Sequence, residues 1–395
     1  MARIVLGSYM VRYPLGGNLS WALQYLVGFH RLGHDVFFVE KSGWDNSCYD
    51  PVTDRMGNDC SYGLGVVNEI LTDHGLGDRW CYVDAAGTYH GISRASIESI
   101  LRTADVFIDM GTHGSWLEEA AHAGARVFVD AEPGMRQMKM QNTIDAGGAL
   151  PGYDFYYTKG RSIATGSSSA PTAGLPWRGM FHPVVTDLFE SGPAPSNAAF
   201  TTVMNWQAYE PVEFRGMVYG HKDVEFEKFI TLPTQTSAPI EVAVAGKNTP
   251  AAKLLEYGWR VRSAHEVTAT IETFKTYIAA SRGEFSVCKN GFVALRTGWF
   301  SDRSAAYLAS GRPVVMQDTG FGEHLPVGRG LFAVKTVDEA IAAIDTIAAD
   351  YSNHSRWARE IAADCLESVK VLAHFLGELG IRESKAEAPA SLTVS

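Results

Sequence analysis

The sequence predicts an α/β protein built from two Rossmann-like, doubly wound parallel-sheet domains facing a cleft. Three observations predict it. Short apolar runs alternate with helical stretches along nearly the whole chain, which is the signature of successive βαβ units. The alternation breaks at Ser191-Gly192-Pro193-Ala194-Pro195-Ser196, a linker by composition, and restarts at Ala199. The chain has 395 residues, too many for one ordinary domain.

In the first half, residues 4–7 read as a strand. Residues 18–32 read as a helix, with Asn18 as its N-cap and Gly33 as its stop. Strands are expected at 35–40, 106–110, 126–130 and 153–158, and helices at 62–74, 92–103 and 115–123. Residues 162–176, rich in Ser, Gly, Ala, Thr and Pro, read as a flexible loop. In the second half, strands are expected at 199–205, 240–245, 259–262, 283–287 and 314–317. Helices are expected at 223–232, 251–257, 267–281, 302–310, 336–349 and 357–379. The expected division is a first Rossmann-like domain over 1–185, a linker over 186–198 and a second domain over 199–365. The last helix, 366–382, is expected to cross back onto the first domain. An Ala/Glu/Ser-rich tail over 383–395 is expected to be disordered.

Composition narrows the function classes. Apolar residues make up 46% of the chain and charged residues 20%, which fits packed globular cores. The formal net charge is −10 and no Lys/Arg cluster occurs, so nucleic acid is not expected as a partner. The cysteines, Cys48, Cys60, Cys81, Cys288 and Cys365, are odd in number and widely spaced, without a C-x-x-C pair. Neither a zinc site nor a redox pair is read from them. Reduced thiols, no signal peptide at Met1–Gly7 and no membrane-length apolar run predict a soluble, cytoplasmic protein. Oligomeric state is not legible.

The most informative stretch runs from Trp299 to Gly320. It reads as a polar turn, a helix stopped by Gly311, an apolar strand and a second polar turn. A helix opening with Ser301, Asp302 and Arg303 offers free backbone N–H groups to a phosphate. Arg303 is a cation at the positive end of that helix, a misfit that a bound anion would relieve. The following strand carries Gln317, Asp318 and Thr319 to its carboxyl edge, where open α/β sheets bind ligands and where amide, carboxylate and hydroxyl groups suit sugar hydroxyls. Asn205 and Trp206, Lys247, and Lys289 with Asn290 follow other strands of the same half and join this donor set. In the first half, Gly16, Gly17 and Asn18 open the first helix and permit close backbone approach to a ligand. His113 follows a strand and is a candidate base toward an acceptor hydroxyl. Asp130 and Glu132 follow the next strand and would orient that histidine or act themselves. Trp116, Tyr153, Tyr156 and Trp177 are further candidates for an acceptor wall.

Two of these segments resemble the GT-B glycosyltransferases. The first strand, Gly16-Gly17-Asn18 and the helix ending in Arg31-Leu32-Gly33-His34-Asp35-Val36 are similar to that group's first βαβ unit. The run Ala305-Ala306-Tyr307-Leu308-Ala309-Ser310-Gly311-Arg312-Pro313-Val314-Val315 resembles its donor-domain signature. The resemblance implies a GT-B-like fold, a nucleoside-diphosphate sugar as co-substrate in the C-terminal half, an acceptor in the N-terminal half, no bound cofactor and metal-independent chemistry. Two departures matter. The two glutamates of many retaining members fall here on Gly298 and Ala306, and the first Gly-rich loop lacks the histidine of many inverting ones. The expected activity is therefore transfer of a UDP- or dTDP-linked sugar to a small-molecule acceptor with inversion. The alternatives are a sugar-nucleotide 2-epimerase and a nucleotide-sugar-binding protein without turnover.

Overall fold

The computed structural model describes residues 1–381; the tail expected over 383–395 lies outside the described residues. The first half forms a sheet ordered Trp177–Gly179, Phe155–Thr158, Ala125–Asp130, Val106–Asp109, Arg3–Gly7, Asp35–Lys41, Trp80–Val83, Tyr89–Gly91. Every neighbouring pair is parallel except the last, where Val83 faces Tyr89 in an antiparallel hairpin. The second half forms an all-parallel sheet ordered Arg260–Ser263, Ile240–Ala245, Phe200–Asn205, Gly283–Ser286, Val314–Gln317, Leu331–Val334. Inner strands such as Val106–Asp109 and Val314–Gln317 are buried along their whole length. That is why they appear in the sequence as short continuous apolar runs rather than alternating ones.

Each sheet reverses its strand order about its first strand. Arg3–Gly7 lies between Asp35–Lys41 and Val106–Asp109, and Phe200–Asn205 lies between Ile240–Ala245 and Gly283–Ser286. Connections on either side of such a strand leave to opposite faces of the sheet and open a crevice at its carboxyl end. The helix Gly16–Arg31 leaves the first of these strands, almost wholly buried, with its start against the second half. A Cβ on Gly16 would run into the Thr270 carbonyl and the Phe274 side chain, so glycine permits that approach.

Two stretches of chain cross between the halves side by side. Val184 N–H donates to the Leu366 carbonyl at 2.8 Å, and Ser368 N–H donates to the Val184 carbonyl at 2.8 Å. The single helix expected over 357–379 is therefore divided. Tyr351–Ile361 runs into a wider turn at Ala362–Leu366, Glu367 is extended, and Ser368–Glu378 starts afresh. This last helix packs on Gly16–Arg31, with Phe375 against Phe29 at 6.2 Å and against Tyr157 at 4.8 Å.

Other expectations differ in instructive ways. Asn18 is not an N-cap: the helix begins two residues earlier, and the Asn18 amide donates to the Tyr13 carbonyl at 3.4 Å. Residues 115–123 form successive turns rather than a regular helix, after three residues, Gly111, His113 and Gly114, with positive φ. The stretch expected as a flexible loop contains the helix Arg161–Thr165 and lies on the second half. Ser162 N–H donates to the Thr297 carbonyl at 3.1 Å, and the Ser168 hydroxyl to the Leu295 carbonyl at 2.6 Å. Small residues there allow close inter-half packing.

Candidate functional site

The carboxyl edges of the two sheets face one cavity of about 850 Å³, lined by both halves. On the second-half side it is bounded by the ends of three strands, at Val203–Asn205, Val244–Gly246 and Ser263–His265, and by the start of the helix Asp302–Ala309. Ser301, the residue before that helix, makes no side-chain cap, so it leaves the first N–H groups of the helix to other partners. The Asp302 carboxylate lies beside that helix start and accepts the Ser301 hydroxyl at 3.4 Å; burial raises its pKa, and the Arg303 cation and the nearby backbone amides oppose the rise. An incoming phosphate would compete with Asp302 for the helix start.

Arg303 lines the cavity but is not a spare cation. Its Nε donates to buried Glu284 at 2.6 Å, and its other nitrogens donate to the Val203 carbonyl at 2.8 Å and the Ser286 hydroxyl at 2.5 Å. On the second-half side the available cation is Lys222, which the sequence reading missed. It lines the cavity, is 8% exposed, and makes no hydrogen bond or ion pair among the described residues. Burial, then the nearby Arg303, pushes its ammonium down to about 7. A buried, unpaired ammonium opening onto a cavity is costly unless an anion arrives. Its only sequence signal was the break Gly220-His221 before Lys222, easily read as the ordinary start of a helix.

The first-half side carries Gly17, Asn18, His113, Asp130 and Glu132, with Tyr9, Tyr13, Trp21, Tyr49 and Arg136. The loop Tyr9–Arg12 is held by Glu40, a fully buried carboxylate that accepts the N–H groups of Met10, Val11 and Arg12 and the Arg12 side chain at 2.9 Å. His113 is exposed within the cleft and has φ 54°. The protein mass around it, then the Arg136 guanidinium, draws its imidazole below the usual range, so it is neutral at pH 7. Asp130 is 2% exposed, and its oxygens are taken by Glu132 N–H, Gln137 and Thr158 at 2.8 Å each. It holds the turn together, with Oδ2 taking two of these bonds and Oδ1 one. Glu132 reaches across the cleft, accepting Lys289 of the second half at 2.5 Å and the Tyr209 hydroxyl at 2.5 Å. Thus Lys289, expected on the donor, is paired across the cleft instead.

Several expected donor residues do not reach the cavity. Gln317 is 2% exposed and bridges Cys288 N–H at 3.0 Å to Glu225 at 2.5 Å. Asp318 accepts Gly320 N–H at 2.7 Å and faces Arg296 and Lys335. The Thr319 hydroxyl donates to the Trp299 carbonyl at 2.6 Å. Asn290 donates to Glu225 at 2.8 Å and accepts Gly220 N–H at 3.2 Å. Trp206 is a core residue against Phe226, and Lys247 is exposed and does not line the cavity, although Gly246 before it does. Gly16 serves the contact between halves described above. Position at a strand's carboxyl edge was the signal in each case, and it does not separate the crevice from the turns around it. Similarly, Trp116, Tyr156 and Trp177 are core residues, whereas Tyr9, Tyr13, Trp21 and Tyr49 form the aromatic wall.

No family model matches the sequence, and no curated protein matches it. Solved structures do match over nearly the whole chain. An alpha-glucosyltransferase in complex with UDP and a 13-mer DNA is 9% identical, with 96% of this chain and 99% of that one covered and a TM-score of 0.56. AviGT4, a glycosyltransferase of avilamycin A biosynthesis, is 12% identical, with 96% and 97% covered and a TM-score of 0.52. S. aureus TarM, solved as a point mutant with UDP, Fondaparinux and alpha-GlcNAc-glycerol, is 11% identical, with 95% and 99% covered and a TM-score of 0.52. At such identities the likeness shows the fold: the chain has the GT-B fold of nucleotide-sugar-dependent glycosyltransferases. One expectation is corrected here. Net charge was taken to exclude nucleic acid, yet a protein of this fold is solved on DNA. Phosphate contacts are local, and a whole-chain charge of −10 does not speak for one cleft. Among the described residues no helix is long and apolar enough to cross a membrane.

Proposed function

We propose that the protein transfers a sugar from a nucleoside-diphosphate donor to a hydroxyl-bearing acceptor in the cleft between its halves. The observation that carries this reading is Lys222: a buried cation without a partner, opening onto a cavity bounded by a helix start at a topological switch point. In this reading the base enters between Val244–Gly246 and Ser263–His265, and the diphosphate reaches Lys222 and the start of Asp302–Ala309. The acceptor lies on the aromatic wall of Tyr9, Tyr13, Trp21 and Tyr49, which suits a sugar ring or a flat scaffold.

Transfer breaks the bond between the anomeric carbon and the diphosphate oxygen, and the bonding pair leaves with the diphosphate. Lys222 and the helix amides meet the charge that develops there, so the leaving group needs no divalent ion. The acceptor oxygen bonds to the anomeric carbon and gives its proton to a base. His113 is neutral, in the cleft and unengaged, whereas both Asp130 oxygens already accept hydrogen bonds and Glu132 is paired with Lys289. With His113 in that role the course is inverting. The test is calorimetry with UDP, dTDP, GDP and CDP against the monophosphates, then turnover with a panel of sugar nucleotides and acceptors that includes a DNA duplex. One diphosphate bound more tightly than its monophosphate, with binding weakened in Lys222→Met and turnover unchanged by added Mg²⁺ or Mn²⁺, supports the reading. No preference for the diphosphate would overturn it. The anomeric configuration of the product, read by NMR, decides the stereochemistry, since retention would leave His113 without its role.

A further inference from the structure

Away from the cleft's polar groups, three side chains from three segments converge at the edge of the first sheet. Asp84 ends the strand Trp80–Val83, His90 lies on the returning strand Tyr89–Gly91, and Cys60 immediately precedes the helix Ser61–Asp73. The Cys60 sulfur, an Asp84 oxygen and a His90 ring nitrogen all lie within 4.8 Å of one another. Asp84 is held in orientation: Oδ1 accepts the N–H groups of Ala86 and Thr88 at 2.9 Å each, which leaves Oδ2 toward His90 Nε2 at 2.8 Å. Side-chain exposure is 19% for Asp84 and 29% for His90, so water has access.

A hydrogen-bonded Asp–His pair in a hairpin would explain two of these residues without the third. Cys60 is 8% exposed and packs in the apolar core of the first half, but its position at the helix start asks for a different residue. It occupies an N-cap position where Ser, Thr, Asp or Asn would stabilise the helix, and its side chain caps nothing. Asp59 receives Ser61 N–H instead, at 2.9 Å. Thiolate, imidazole and carboxylate within 4.8 Å of one another form the mixed S/N/O donor set that suits Zn²⁺, with water as fourth ligand; the ion would enter between Asp84 and His90 in place of their hydrogen bond. Because the ligands sit in separate segments, no short motif shows the site, and the cysteine spacing that argued against zinc does not bear on it.

We propose that Cys60, Asp84 and His90 bind a zinc ion that fixes the foot of the ribbon overlying the cleft. The ribbon pairs Cys48–Asp50 with Arg55–Gly57, directly before Cys60. Its Tyr49 and Asp54 line the cavity and hydrogen-bond to each other at 2.7 Å, and Tyr49 reaches His265 of the second half at 3.3 Å. Binding ties the ribbon's exit to the hairpin Trp80–Gly91 and so sets where this wall of the cleft stands.

The test uses untagged full-length protein, stripped with a chelator and titrated with Co²⁺ and Zn²⁺. Expected are one equivalent of metal per chain after desalting, a thiolate-to-cobalt charge-transfer band displaced by Zn²⁺, and a rise in Tm on Zn²⁺ addition. Cys60→Ser loses the band and the Tm response, whereas Cys365→Ser keeps both. Wild-type protein that shows neither the band nor a retained equivalent overturns the proposal, whether or not the variants fold. Equal retention in Cys60→Ser overturns it too.

Discussion

Replacing Lys222 with methionine separates function from folding most cleanly. In the free protein its ammonium titrates near about 7 because it is buried beside Arg303. A diphosphate seated against it restores the charged form, so binding takes up a proton wherever the free lysine has lost one. With a free value of about 7 and phosphates already ionised above neutrality, uptake is about half a proton at pH 7 and about nine-tenths at pH 8. Affinity therefore falls roughly fifteenfold from pH 7 to 8.5, while the bound form stays protonated. Lys222→Met removes that pH dependence and weakens binding about tenfold to a hundredfold, the usual worth of a hydrogen bond to a charged group. Stability moves the other way. The folded lysine is depressed below its unfolded value, so the burial cost is fully present at and below pH 7. It fades as pH rises toward the unfolded lysine value, because the unfolded chain keeps a proton that the folded one has released. Lys222→Met thus raises Tm, most strongly at pH 7 and below. Calorimetry in two buffers of different ionisation enthalpy, with thermal melts, reads all three effects. Binding that is flat from pH 7 to 8.5 and indifferent to Lys222→Met would refute the reasoning.

Four further outcomes are expected. His113→Asn keeps a residue tolerant of the left-handed backbone and leaves Tm unchanged, but lowers kcat about 10²- to 10⁴-fold; in the wild type the acid limb of the pH–rate profile lies below the ordinary histidine value, with a plateau at pH 7. Gly16→Ala meets the Thr270 carbonyl and the Phe274 side chain and costs about 1–3 kcal/mol in denaturant melts. Gly17→Ala finds open space and gains about 0.5–1 kcal/mol, yet loses activity if a ligand needs that backbone approach. Gln317→Ala leaves the buried Cys288 N–H without its acceptor, while Glu225 keeps Lys228 and Asn290, and costs about 1–3 kcal/mol, with donor KM in the folded enzyme unchanged.

Much of the architecture was legible because parallel strands buried on both faces leave unbroken apolar runs. Residues 240–245 and 314–317 were readable to the residue, and the helix opening at Asp302 was found with its first turn on the cavity. The edge strands Trp177–Gly179 and Leu331–Val334 were not anticipated: the first is three residues with an arginine at its centre, and the second is fully buried only at its two ends. The division of the last helix depends on Val184, far away in sequence, and has no local signal. The site was half legible for the same reason. Strand ends point to the crevice in general, but whether a group is spare depends on partners from elsewhere. Arg303 looked free and is tied to Glu284; Gln317 looked ligand-facing and is tied to Glu225. Lys222 looked ordinary and has no partner among the described residues.

The most direct measurement is a crystal structure of the protein with the nucleoside diphosphate that binds best in solution. The diphosphate should lie within hydrogen-bond reach of Lys222 Nζ at the start of Asp302–Ala309, with the base between Val244–Gly246 and Ser263–His265. Nucleotide held elsewhere on the molecule, with Lys222 still apart from any phosphate oxygen, would contradict the assignment of the cleft.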